Sequence, residues 1–208
     1  MPSPPPSASP SPLFVAFEGG DACGKSTQAK VLAESLGALL TREPGGTPIS
    51  ERLRELVLDP EAILDDRTEA LVMAASRAQL VAEVIRPALE SGQSVVTDRY
   101  IGSSLAYQGY GRGLPLDAVR YLSEFATDQL WPDLIVLIDI PVEVARERMR
   151  GPKDRIERSA DDFHQRLRDG YLALAAADPQ RWSVVDGTGS PDEVTALVHE
   201  EVSRRYPL

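Results

Sequence analysis

One stretch, Glu18-Gly19-Gly20-Asp21-Ala22-Cys23-Gly24-Lys25-Ser26-Thr27, constrains this chain more than any other. Gly19, Gly24, Lys25 and Ser26 stand at the fixed places of the phosphate-loop pattern G-x-x-x-x-G-K-[ST]. The apolar run from Leu13 to Phe17 before it has the length of a buried strand. The residues from Gln28 to Leu36 after it have helical spacing, with Gly37 as the C-cap. Glycines let the backbone curl so that successive N–H groups point at phosphate oxygens, and the helix N-terminus adds partial positive charge. Lys25 reaches the outer phosphates and the Ser26 hydroxyl suits a magnesium ion. A glycine-rich turn matching by chance would lack the strand and helix at its two ends.

The 208 residues suit one domain with ample length for a core. A net charge of −10 excludes broad binding to a nucleic-acid backbone, although a local basic site can still hold a small anion. The single cysteine, Cys23, excludes an intramolecular disulfide framework and fits a reducing cytoplasm. No stretch has the length of a membrane span, and the first residues lack the basic and apolar regions of a signal peptide. Residues 1–12, rich in Pro and Ser, predict an extended, disordered tail. Residues 13–208 then form the folded domain.

Along the chain, strands alternate with helices. Ala38 to Thr41 reads as a second strand, running into a Pro-Gly-Gly loop. Thr47 or Pro48 opens a helix to Leu58, with Leu53, Leu56 and Val57 on its inner face. Asp65-Asp66 caps a long helix to about Pro87, with Leu71, Ala74, Ala78, Val81 and Ile85 facing inward. Val95-Val96 is a third strand, ending at Asp98-Arg99. Residues 102–113 read as a loop and helix start, and 117–128 as a helix. Leu134 to Ile140, apolar but for Asp139, predicts a central strand. Residues 142–150 and 157–177 read as helices around a charge-dense lid at about 150–158. Ser183 to Val185 is a fifth strand, and Pro191 opens the last helix. The fold class is therefore α/β: a five-stranded parallel sheet with helices on both faces, of the phosphate-loop type. Lys25, Arg42, Asp98, Arg99 and Asp186 all follow predicted strands, where such sheets bind ligands.

A phosphate loop leaves the acceptor open. Phosphoryl transfer needs charge neutralisation around the moving group and an aligned acceptor. Candidate arginines are Arg54, Arg77, Arg99 and the cluster Arg146, Arg148, Arg150, Arg155 and Arg158. The planar fork of arginine makes paired hydrogen bonds to phosphate. Arg54 and Arg146 equally suit solvated helix faces, and the cluster alternates with Glu147, Asp154 and Glu157 as an ion-paired surface does. Arg77 differs, because a charge among apolar neighbours is costly without a partner.

Further motifs make the chain resemble the thymidylate kinase family, which moves the γ-phosphate of ATP to dTMP. They are Thr41-Arg42-Glu43-Pro44-Gly45-Gly46-Thr47, Ala75-Ser76-Arg77, Asp98-Arg99-Tyr100, Ser103-Ser104-Leu105-Ala106-Tyr107-Gln108-Gly109, Pro132-Asp133-Leu134 and Asp154-Arg155-Ile156-Glu157. With the loop they cover nearly everything from Leu13 to Tyr206. The resemblance implies that Lys25 and the backbone from Gly19 through Gly20, Asp21, Ala22, Cys23, Gly24 and Ser26 to Thr27 hold the ATP phosphates. Ser26 and Asp98 would serve Mg2+, and Asp21 would organise metal and acceptor phosphate. Arg99 would bridge donor and acceptor phosphates. Arg54 would hold the dTMP phosphate, Arg77 a thymine carbonyl, and Pro44, Met73, Ser104 and Gln108 the base. Tyr107 would crowd the place of a ribose 2′-hydroxyl. Arg148 would stack on adenine beside the turn from Asp186 to Thr188, and Arg155 would be the catalytic arginine of a closing lid. The family also implies a cytoplasmic homodimer acting on small molecules, without a nucleic-acid or membrane partner.

Three positions depart from the family pattern. Met73 stands where an aromatic residue usually stacks on thymine, and methionine packs on a ring less rigidly. Ala173 replaces a Glu two residues after Tyr171. Ala22 replaces a loop arginine, which implies the variety in which lid arginines do that work. The alternatives are a kinase for another nucleoside monophosphate, against which Tyr107 and Arg77 argue, and a nucleotide-driven switch, which would need no acceptor pocket on residues 98–108.

Overall fold

The computed structural model describes residues 11–149, 154–157 and 161–206. Of the expected tail only residues 11–12 are described, and of the expected lid only 154–157. Arg150 and Arg158 lie outside the described residues.

Five strands make one all-parallel sheet: β1 (Phe14–Glu18), β2 (Leu39–Arg42), β3 (Val95–Asp98), β4 (Leu134–Asp139) and β5 (Trp182–Asp186), in the order β2-β3-β1-β4-β5. All of β1 and most of β4 is buried, as continuous apolar runs require when helices cover both faces. β4 is internal, paired with β1 and β5, while β1 holds the middle. Alternate residues of β1 enter opposite layers. Phe14 and Ala16 pack with Leu80, Ile101, Leu105 and Tyr171. Val15 and Phe17 pack with Leu32, Val96, Val136 and Val198.

The helices are α1 (Lys25–Leu36), α2 (Pro48–Leu58), α3 (Asp66–Leu80), α4 (Arg86–Glu90), α5 (Ile101–Ser104), α6 (Leu116–Thr127), α7 (Val142–Arg148), α8 (Asp161–Ala177) and α9 (Pro191–Arg205). Gly37 closes α1 in the left-handed conformation, φ 59°, with its N–H on the Ala33 and Glu34 carbonyls. The Asp65 carboxylate caps α3 on the Arg67 N–H, and Ser190 with Glu193 forms a capping box on α9.

Several expectations need correction. Residues 102–113 are largely helical: α5 continues into a π-wound segment, Leu105–Gly111. Burial of Leu105, Ala106 and Tyr107 overrides the poor helix propensity of the glycines. A Cβ on Gly111 would come within 2.5 Å of the Phe163 ring, so a glycine is needed for the approach of α8. The long helix expected to end near Pro87 passes through a π segment, Val81–Ile85, and resumes as α4. Pro87 follows directly on the π segment, where the widened turn interrupts the regular hydrogen-bond ladder. Leu71 is 57% exposed and Leu56 46%, while Ala70, Arg77 and Leu80 point inward instead. Glu157 lies in a turn, and α8 is described from Asp161 onward.

Candidate active site

The parallel register aligns the carboxyl ends of β1, β2 and β3 along one edge. Phe17 faces Asp98 and Arg42 faces Asp98 from the other side. The phosphate loop leaves β1 there. Gly19 has φ 143°, and a Cβ on it would meet the Ile138 carbonyl at 2.6 Å, so only glycine fits. Ala22 (φ 57°) and Gly24 (φ 97°) complete the curl, and Gly24, Ser26 and Thr27 are exposed where α1 begins. Lys25 folds back, its Nζ donating to the Gly20 carbonyl at 3.0 Å. The Cys23 side chain is buried in the layer with Val15 and Leu32, so only its backbone is offered to a ligand.

The end of β3 supplies the opposing charge. Arg99 takes a left-handed backbone, φ 73°, a strained position for a residue with a side chain. Its Nη1 donates to the Gly19 carbonyl at 2.9 Å, and its Nη2 to Asp21 Oδ1 at 2.7 Å. Ser103 Oγ and the Tyr171 hydroxyl accept from Nη1 at 3.2 and 3.3 Å, and the fork lies over the Tyr107 ring. The Tyr107 hydroxyl donates to Asp21 at 3.2 Å. Burial raises the Asp21 carboxyl, but Arg99 and Lys25 outweigh it and hold it below the ordinary carboxylate range. Ser26 Oγ donates to Asp98 Oδ2, and among the described residues the buried Oδ1 of Asp98 has no hydrogen-bond partner.

Glu18 fastens these parts together. Its carboxylate is fully buried and accepts from the backbone N–H groups of Tyr100 and Ser103, both at 2.9 Å. It also accepts from Ser103 Oγ at 2.6 Å and the Tyr171 hydroxyl at 3.1 Å. Burial raises its pKa against these donors and the nearby Arg99.

A cavity of about 260 Å³ opens beside the loop. Asp21, Lys25, Ser26, Asp98 and Arg99 line it on the loop side, and Pro44, Arg54, Met73, Arg77, Ser104, Tyr107 and Gln108 on the other. Arg54 Nη1 donates to the Pro44 carbonyl at 2.9 Å. Arg77 is buried and its fork is saturated. Nε and Nη2 both meet Glu43 Oε2 at 2.7 Å. Nη1 donates to Ser104 Oγ (3.1 Å) and Ser123 Oγ (3.3 Å), and Nη2 to the Tyr100 carbonyl (3.0 Å). A carbonyl ligand must therefore exchange with one of these partners to reach Arg77. Burial pushes the Glu43 carboxyl up to about 7 despite Arg77.

Arg148 donates to the Gly187 and Thr188 carbonyls at 2.8 and 2.9 Å, which brings it to the turn expected beside it. Arg155 is placed differently from expectation. It does not line the cavity; Asp154, Ile156 and Glu157 do. Its Nη2 donates to Glu69 at 2.6 Å, its Nε to the Val57 carbonyl at 2.9 Å, and its N–H to the Leu58 carbonyl at 3.3 Å. Through these bonds Arg155 ties 154–157 to α2 and α3. Glu18, Glu43, Glu69, Ser103 and Tyr171 were not picked out by residue-level reasoning. The one available signal was Glu18, a carboxylate ending a buried apolar strand.

Residues 17–198 match the family described as Thymidylate kinase. A thymidylate kinase of Geobacter sp. (strain M21) is 47% identical over 207 residues, covering 93% of this chain and 92% of that protein. One from Deinococcus radiodurans is 46% identical over 200 residues, covering 93% and 97%. The crystal structure of thymidylate kinase from Ehrlichia chaffeensis superimposes with a TM-score of 0.77 at 32% identity, covering 93% of this chain and 99% of that one.

Proposed function

The chain belongs to the thymidylate kinase family, and from that premise we propose how its residues divide the work of the reaction. It is a dTMP kinase, transferring the γ-phosphate of ATP to dTMP in dTTP synthesis. The observation that carries the residue assignment is the place of Arg99, bonded to the Gly19 carbonyl of the loop and lining the acceptor cavity at once.

Lys25 and the loop N–H groups bind the ATP phosphates. Arg99, pre-set by Glu18, Asp21, Ser103 and Tyr171, stabilises charge on the transferring group without having to reorganise. Asp21 is fixed between Arg99 and Tyr107 beside the acceptor phosphate, which Arg54 holds. Pro44, Met73, Arg77, Ser104 and Gln108 take the base, and Tyr107 borders the sugar. Arg148 and the turn at 186–188 take the adenine. Mg2+ fits Ser26 and Asp98, because the buried Oδ1 of Asp98 is an oxygen that no described residue hydrogen-bonds, and magnesium takes oxygen ligands. When bound it would neutralise phosphate charge; magnesium needs few protein ligands beside phosphates and water. ADP release from ATP, measured with dTMP, with other nucleoside monophosphates and with no acceptor, is the test. Release that does not depend on dTMP would reject the reading.

Residues 13–208 are read as one kinase domain with a lid at about 150–158. A homodimer is supported by exposed apolar side chains on the packed pair α3 and α6: Leu71, Tyr121 at 73% and Phe125 at 76% exposure. Tyr121→Asp with Phe125→Asp should convert a dimer to a monomer in light scattering, and an unchanged mass would exclude this face. A cytoplasmic location is supported by the unpaired Cys23 and by ATP as substrate. Among the described residues no helix is long and apolar enough to cross a membrane.

Met73→Phe should tighten dTMP binding with little change in kcat. Met73 lines the cavity, and a flat ring stacks on a base with about 0.5–1.5 kcal/mol of added attraction. Calorimetry with dTMP decides it; unchanged or weaker binding would mean that residue 73 does not face the base.

A further inference from the structure

We propose that Glu69 selects the pyrimidine, by holding the Gln108 side-chain amide in one orientation toward the acceptor base. The inference rests on the acceptor cavity assigned above. Gln108 is buried and lines that cavity, and its Nε2 donates to Glu69 Oε1 at 2.8 Å. An ionised carboxylate only accepts hydrogen bonds, so the nitrogen end of the amide must face it. A glutamine amide elsewhere turns end for end at little cost, because its two ends are nearly the same size. Here the turn would set Oε1 against a buried carboxylate.

Glu69 is itself held. Its side chain is 1% exposed, and Arg112 Nη2 and Arg155 Nη2 donate to Oε2 at 3.1 and 2.6 Å. Burial raises its pKa, yet the donors Gln108, Arg112 and Arg155 win and keep it below the ordinary carboxylate range. This gives the anchored Arg155 a purpose: it keeps Glu69 charged and in place.

With the nitrogen turned away, Oε1 is the acceptor left to the cavity, and no described residue donates to it. About one helical turn earlier, Ser104 lines the same cavity and its Oγ already accepts from Arg77, so its own proton is free to point elsewhere as a donor. An acceptor next to a donor matches a pyrimidine with N–H at ring position 3 and a carbonyl at position 4. Cytosine presents the reverse, a bare nitrogen and an amino group. Glu69 touches no substrate and is therefore a positioning residue.

Glu69→Gln replaces an obligate acceptor by an amide that pairs with either end of Gln108. The ratio of kcat/KM for dTMP over dCMP should then fall on the order of tenfold or more, with KM rising for dTMP and falling for dCMP. A merely structural role raises both KM values together and leaves the ratio unchanged, which would overturn the proposal. In a Gln108→Leu background, Glu69→Gln should move the ratio no further; an additive second fall would also overturn it. If Glu69→Gln does not fold, the side-chain amide protons of Gln108 in the wild-type NMR spectrum decide. One of them should exchange slowly with solvent, with and without dTMP, and fast exchange of both would reject the lock. Wild-type protein that turns over no dTMP would reject the acceptor assignment itself, and the proposal with it.

Discussion

Lys25→Ala and Arg99→Ala are each expected to lower dTMP-dependent turnover by about a hundredfold or more while the far-ultraviolet circular dichroism stays that of the wild type. Both charges converge on one small volume. Lys25 reaches it from α1 and Arg99 from the end of β3, and each is tied to a loop carbonyl, Gly20 or Gly19. Those carbonyl bonds hold the cations where charge will develop on the transferring group, so no reorganisation is needed during transfer. Losing Arg99 also strips Asp21 of its ion pair and Tyr107 of the cation above its ring. The two variants should separate in binding. Lys25→Ala should bind dTMP nearly as wild type does in calorimetry, because the acceptor side of the cavity is intact. Turnover within tenfold of wild type in either variant would reject the transfer mechanism.

Arg77→Met is expected to reduce stability by about 3–5 kcal/mol, the usual result of leaving one member of a buried ion pair without the other. Glu43 would then be a buried carboxylate with no cation, and the carbonyl of Tyr100 would lose its donor. The pH dependence gives the sign. The Glu43 carboxyl is raised in the folded protein, from an ordinary 4.5 to about 7, chiefly by burial. The folded state therefore binds the proton more tightly than the unfolded chain does. The stability from this group is complete below pH 4.5 and falls as pH rises through 7. In Arg77→Met the folded value rises further, so the decline should continue above pH 7. Urea titrations at a series of pH values would measure it. Stability of the variant that is flat from pH 6 to 9 would mean that Glu43 is not buried as described.

The loop, the polar residues that follow the strands and the fold class were all legible in the residues, because each rests on local spacing: the glycines of 19–24, the apolar runs, the caps. What stayed hidden depends on contacts across long separations. Residues 102–113 are helical because of the core beneath Leu105 and Tyr107, which no local propensity records. The family resemblance made Arg155 the catalytic arginine of a closing lid. Its partner, Glu69, lies on a helix 86 residues earlier, and only the packing of α3 beside 154–157 reveals the pair. Leu71 kept the right helical period and still faced outward, since a stripe of that spacing does not by itself fix which of its members the core covers.

The strand order has a consequence for how the chain is made. β1 is synthesised first but sits in the middle, where Leu13 bonds to Ser94, 81 residues on, and Phe14 to Asp133, 119 residues on. The phosphate loop therefore leaves the ribosome with neither of its walls. Arg99 and the Ile138 carbonyl that shape it emerge later, roughly ten seconds later at ordinary elongation rates. ATP that binds only the finished loop stabilises only the finished sheet. Nucleotide binding therefore favours the completed sheet and gives no support to the nascent half, in which β1 still lacks both neighbouring strands.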